Sequence, residues 1–200
     1  VLVLLCIFFA YRAVPNPEVL EVSVIKPPKS DKLSKVFWIY TVFTFVTTLG
    51  FTNFALIGYH FKAKQVMTDA QIPFFYAIAM GVDALAAIII GKTYDIFKTR
   101  HNNEKAGLLT LLAIPAFSLF IPVFVFSAKF SLCLVGAIIW GIVMGAHETV
   151  MKSAIADLTP LKKRGTGYGI FNAAYGLAIF IGSALTGLLY EYSIFAVIFI

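Results

Sequence analysis

Two carboxylates and one imidazole stand inside stretches of sequence that are otherwise apolar: Asp83, Glu148 and His147. Ionisable groups in such surroundings are costly, so each is a candidate for function. Asp83 has no basic residue within one helical turn. It shares a helical face with Ala79, Ala86 and Ala87, as Glu148 does with Gly141 and Gly145. Small residues on a face mark close helix packing rather than contact with lipid. A carboxylate held there can take up and release a proton. Each has a structural alternative. Lys152 follows Glu148 by four residues, the favourable order for an intrahelical pair, and Asp83 could bridge helices by hydrogen bonding. His147 points about 100° away from Glu148.

The elements that must hold these groups follow from composition. The chain is 60% hydrophobic and 13% charged, with 20 Phe among 200 residues. Its apolar residues fall in blocks of about 20, the length that crosses a hydrocarbon core of ~30 Å as a helix. The alternation of an outer-membrane barrel is missing. The expected helices run over 36–59, 72–90, 107–126, 132–157 and 165–189, with a further one starting near Ser193. Residues 1–11 read as the end of a preceding helix, and 12–34, with its PNPE and KPPKSDK segments, as a linker. The chain begins and ends inside apolar blocks, which predicts an excerpt of a longer protein. The helix over 107–126 carries Pro115 and Pro122 but no ionisable group, and suits a lipid-facing position.

On these spans Asp83 lies roughly 12 Å from one end of its helix and Glu148 roughly 14 Å from the same side, both near the midplane. Basic residues fall on that side: Arg12, Lys26, Lys29, Lys32 and Lys35, then Lys92, Lys98, Arg100 and Lys105, then Lys152, Lys162, Lys163 and Arg164. The other side receives Lys62, Lys64 and Lys129. The positive-inside rule assigns the first side to the cytoplasm. The net charge of +6 thus reads as a topology signal, with no nucleic acid as partner. Cys6 and Cys133 are expected as small buried hydrophobes.

Further polar groups fall at the depth of Asp83 and Glu148. Asn172 and Tyr175 are candidates to line a cavity. Asn172 also belongs to a seam of Gly165, Gly169, Gly176, Ser183 and Gly187, expected to pack closely. Thr48 and Asn53, beside Gly50, are weaker candidates, because membrane threonines often bond their own backbone. No nucleotide loop, dinucleotide fingerprint, metal-spaced Cys/His cluster or nucleophile elbow is visible. The expectation is a protein that is not an enzyme and needs no cofactor or metal.

GKTYDIFKTR, Gly91 to Arg100, resembles the G-x-x-x-D-R-x-G-R-R signature of the major facilitator superfamily, in the loop between its helices 8 and 9. Gly91, Asp95 and Arg100 fit, while Ile96 and Lys98 depart from the pattern. ADLTPLKKRGTGYGIFNAAYG, Ala156 to Gly176, resembles the junction of its helices 10 and 11. The resemblance implies an all-α polytopic membrane bundle: the six-helix C-terminal half plus the end of the preceding helix. Residues 1–11 would end helix 6, 12–34 would be the central cytoplasmic linker, and 35–200 would run from helix 7 to the start of helix 12. It implies that Asp95 sits against the amides of Gly165, Thr166 and Gly167, and that Arg100 or Lys98 pairs with Asp157. Gly91, Asp95, Arg100, Asp157 and Arg164 would then form a cytoplasmic gate, unless these charges only set topology.

The function implied is secondary transport of a small solute by alternating access, coupled to protons, in a multi-pass protein of the plasma membrane. Its partners would be the lipid bilayer, the solute, protons and the N-terminal half of the same protein. The alternative is a non-transporting membrane sensor or scaffold with a transporter-like fold. The substrate is not legible.

Overall fold

Ser34 opens the first span: its Oγ accepts a hydrogen bond from the Phe37 amide at 3.1 Å, satisfying one of the free donors of a helix start. The computed structural model describes residues 8–9, 12–13, 32–100 and 111–198. Two compact units are present, residues 1–30 and 31–200. In the first, the described residues are helical and the Arg12 guanidinium lies 5.0 Å from the Phe8 ring centroid. The rest of the expected helix end and residues 14–31 of the linker lie outside the described residues, as does Cys6.

The second unit is a helical bundle with no strand among the described residues. Its elements are α1 (Lys35–Leu49), α2 (Phe54–Ala63), α3 (Gln71–Arg100), α4 (Ala113–Ser118), α5 (Phe120–Val125), α6 (Phe130–Leu158), α7 (Arg164–Tyr192) and α8 (Ile194–Ile198), with a 3-10 turn over Leu161–Lys163 before α7. Among the described residues, four spans are long and apolar enough to cross a membrane: Lys35–Ala63, α3, α6 and Leu161–Tyr192. Half of the apolar window of α6 is buried, against 17% in α3 and in the last span, so α6 is the central helix. The bundle's outer surface is apolar, with Ile39, Leu85, Ile88 and Phe180 each more than half exposed. Such a coat suits hydrocarbon, not water.

Three expected elements differ in extent. The span expected over 36–59 is broken at Gly50–Asn53. Within α1, Thr41 and Thr47 donate to the carbonyls of Phe37 and Phe43, the back-bonding open to hydroxyls in a helix. At the break, Trp140 Nε1 donates to the Thr52 carbonyl at 2.8 Å and Asn53 Oδ1 caps α2 through the Ala55 amide at 3.0 Å. Backbone groups freed inside a bilayer need such substitutes. The helix expected over 72–90 continues ten residues further, so GKTYDIFKTR is helical and not a loop. It contains no proline or interior glycine to stop it after Gly91. The 107–126 segment is described from Leu111 and consists of α4 and α5, joined at Leu119. Ile121, Pro122 and Val125 face inward while Leu119, Phe120 and Val123 are exposed, as a peripheral helix would be.

Glycine sets the closest helix contacts. A Cβ on Gly145 of α6 would stand 2.6 Å from the Asp83 carbonyl oxygen and 2.9 Å from the Ala87 amide nitrogen of α3. One turn away, a Cβ on Gly141 would collide with the Ala79 carbonyl, and Gly91 meets Thr149. The expected small-residue faces of α3 and α6 do meet. On α7 the packing glycines are Gly167, against Thr159, and Gly182, against the Leu49 carbonyl. The expected seam glycines Gly165, Gly169, Gly176 and Gly187 have nothing within 4 Å, so these four set no close helix contact among the described residues.

Candidate functional site

The crossing of α3 and α6 at Gly145 holds the ionisable groups. Asp83 is half-buried, and its Oδ1 is buried with no hydrogen-bond partner. Glu148 is exposed but within electrostatic reach of both Asp83 and Tyr175. The Glu148–Lys152 pair weighed from the sequence does not form: it is absent from the ion pairs between described residues. His147 is 2% exposed, and neither ring nitrogen has a partner. Its ring stacks on Phe51 at 5.0 Å between centroids and lies 6.2 Å from Tyr175.

Above this crossing, at the break between α1 and α2, opens a cavity of about 540 Å³. Aromatic rings dominate its wall: Phe51, Phe54, Tyr76, Trp140 and Tyr175. Phe51 stacks on Trp140 at 5.7 Å, Phe54 meets Trp140 edge-on at 5.2 Å, and Phe54 tilts onto Tyr76 at 4.8 Å. Asn53 and Ser183 are the polar residues of the wall apart from the tyrosines, and they bond each other at 3.4 Å. The structure therefore brings Tyr175 and Asn53 to the cavity. Thr48 is buried with an unpartnered Oγ1, away from the cavity wall, and Asn172 is exposed on α7.

At the end expected to face the cytoplasm, Asp157 is tied to α3. Tyr94 Oη donates to its Oδ2 at 2.9 Å and Lys98 Nζ to its Oδ1 at 2.6 Å. A carboxylate in the last turn of a helix meets the negative end of the dipole, and these two donors offset that cost. Lys98, not Arg100, is thus the partner of Asp157, while Arg100 and Asp95 are exposed. No hydrogen bond joins Asp95 to the amides of Gly165, Thr166 or Gly167; its carbonyl accepts from the Thr99 hydroxyl. Arg164 begins α7 with its Nε buried and unpartnered. Asp157→Ala strips both donors of their acceptor and is expected to cost about 2 kcal/mol, measured as a lowered Tm in detergent. Lys98→Ala, which leaves the Tyr94 bond, is expected to cost about half as much. Equal losses in the two variants would contradict the double anchorage.

Several of these groups carry no signal in the sequence. Tyr94 is 2% exposed and lies in the segment that reads as a loop. Phe51, Tyr76 and Trp140 look like ordinary members of apolar blocks. His60, also 2% exposed, sets Nδ1 2.9 Å from the Tyr190 hydroxyl near the opposite end of the bundle.

Comparison with known proteins fits this arrangement. The chain is 34% identical over 188 residues to an uncharacterized protein of Mycobacterium bovis and, to the same extent, to one of Mycobacterium tuberculosis. The match takes in 92% of this chain and 44% of each relative, so the chain spans less than half the length of these relatives. It is 27% identical over 130 residues, 65% of the chain and 32% of the relative, to the class H tetracycline resistance protein of Pasteurella multocida. No solved structure matches the chain. The sequence profile of the Major Facilitator Superfamily matches residues 36–200, nearly the whole of the second unit. With four membrane-length helices under that profile, the chain is part of an integral membrane protein and belongs to the major facilitator superfamily.

Proposed function

We propose that this chain is the C-terminal half of a secondary transporter that moves a small solute by alternating access, coupled to protons. Residues 1–11 would end its sixth helix, 12–34 form the cytoplasmic linker, and 35–200 run from the seventh helix to the start of the twelfth. The N-terminal half would supply the other cavity wall, and the plasma membrane is the expected location.

The observation that carries the reading is Asp83. A carboxylate near the middle of an apolar span has a buried oxygen with no partner, and its backbone is pinned against Gly145. An ion pair or a bridging hydrogen bond would explain a structural carboxylate, and among the described residues Asp83 has neither. What it retains is the capacity to bind a proton, with Glu148 near enough to act on it electrostatically. The cavity of about 540 Å³ beside this crossing supports solute binding near the midplane. A relative named for resistance to tetracycline supports a solute of drug size. The Tyr94–Asp157–Lys98 tie suits a gate that closes the cytoplasmic end and parts when the cavity opens inward.

The test is solute flux in proteoliposomes of the full-length protein, with tetracycline heading the solute panel, with and without an imposed pH gradient. Uptake driven by the gradient is the expected result. Uptake indifferent to the gradient would remove the proton coupling. No uptake of any solute by folded protein would remove the transport reading itself.

A further inference from the structure

We infer that the cavity at the α1–α2 break takes planar, polycyclic aromatic solutes that carry a positive charge. The inference rests on the transport reading only in making this cavity the solute site. The wall itself argues for the class.

A run of rings, Phe51, Trp140, Phe54 and Tyr76, lies in mutual contact along the cavity; Trp140 and Phe54 are buried within the run, and Tyr76, 44% exposed, presents the most ring surface. Flat aromatic solutes gain from offset stacking or edge contact with such rings. A polyol or sugar would need many hydrogen-bonding partners. The wall's polar side chains are Asn53, Ser183 and two tyrosines, and Asn53 already bonds the Ala55 amide and Ser183, so few partners remain for a polyol's hydroxyls. Charge then separates the remaining candidates. No lysine, arginine or histidine lines the cavity among the described residues. Glu148 lies within electrostatic reach of the lining Tyr175, and Asp83 stands within reach of Glu148. Ring faces attract cations and repel anions. The N-terminus of α2 opens on the same wall and would favour an anion, but the Asn53 side chain already occupies it.

Ethidium is the probe, titrated by fluorescence anisotropy into the full-length protein in nanodiscs. Anthraquinone-2-sulfonate, flat but anionic, and glucose are the competitors. Ethidium is expected to bind saturably, and the sulfonate to compete at least about tenfold more weakly. Trp140→Leu should weaken ethidium by about tenfold, whereas Trp38→Leu, whose ring is half exposed on the outer face, should leave it unchanged. Trp140 also holds the Thr52 carbonyl, so Tyr76→Leu, at a 44% exposed ring of the same wall, serves where Trp140→Leu fails to fold. Sulfonate binding as tightly as ethidium, or full ethidium affinity in both ring variants, would overturn the inference. Ethidium binding without flux would remove transport and leave this assignment standing. Gradient-driven flux of other solutes without ethidium binding would do the reverse.

Discussion

Asp83→Asn is expected to abolish gradient-driven accumulation while leaving the protein folded. One pH unit is worth about 1.4 kcal/mol. A transporter exchanging one proton per solute can therefore hold a solute gradient of about tenfold across a one-unit pH difference. The amide that replaces the carboxylate would have the same shape but no proton to exchange, so the ratio should fall to about one. Facilitated equilibration without the gradient should persist, because the cavity lies at the α1–α2 break and does not include Asp83. Folding should survive because Oδ1 has no hydrogen bond to lose. Glu148→Gln tests whether the two carboxylates act together: as a coupled pair, its loss should also reduce the ratio. Radiolabelled solute uptake at equal protein content measures both. Full accumulation in both variants would end the assignment of coupling to this crossing.

Gly145→Val is expected to be strongly destabilising at the α3–α6 crossing. The atoms a Cβ would meet are backbone, the Asp83 carbonyl and the Ala87 amide, and backbone cannot swing aside as a flexible side chain does. The helices must separate, and overpacking of this kind typically costs about 1–3 kcal/mol or more. In a bilayer lipid is as apolar as the lost contact, so no hydrophobic gain restores it. A Tm fall of roughly 5 °C or more is expected, at about 2–4 °C per kcal/mol. Gly81→Val on α3 is the control: nothing lies within 4 Å of its Cβ position, and Tm should hold within about 1–2 °C. Equal losses at both glycines would mean that the cost does not arise at the crossing, since valine is the better helix former of the two. Because Gly145 abuts the Asp83 backbone, the same substitution also tests the site: transport should fall with stability.

The spans were legible wherever an apolar block had polar ends. Residues 132–157 and 165–189 match α6 and α7 to within a few residues because hydrocarbon thickness sets that length. The break at Gly50–Asn53 was hidden, since Gly-Phe-Thr-Asn interrupts neither hydropathy nor length. Its repair comes from Trp140, 88 residues away in sequence. Residues 91–100 misled in the opposite sense: their charges suggest a loop, yet Lys, Thr and Asp are compatible with a helix that has left the bilayer. In the candidate site, charge made Asp83 and Glu148 visible against apolar neighbours, and small residues marked the faces on which their helices pack. The aromatic wall was invisible, because in a chain with 20 Phe no ring stands out until tertiary contact groups it. The α7 seam shows the limit of face arguments. Spacing identifies a smooth face, but it does not say whether the partner lies within the same bundle.

The unbroken course of α3 has a mechanical side. At ~1.5 Å per residue its 30 residues make a rod of about 45 Å, half again the thickness of the hydrocarbon core. Gly145 grips it near Asp83, about 25 Å short of its Arg100 end. A rod pivoting there by some 10° barely displaces the carboxylate, yet it carries the far tip about 4 Å sideways. The α3–α6 crossing would be a fulcrum, the Lys98–Asp157 bond a catch near the long arm's tip, and the protonation of one side chain the small input that such leverage magnifies.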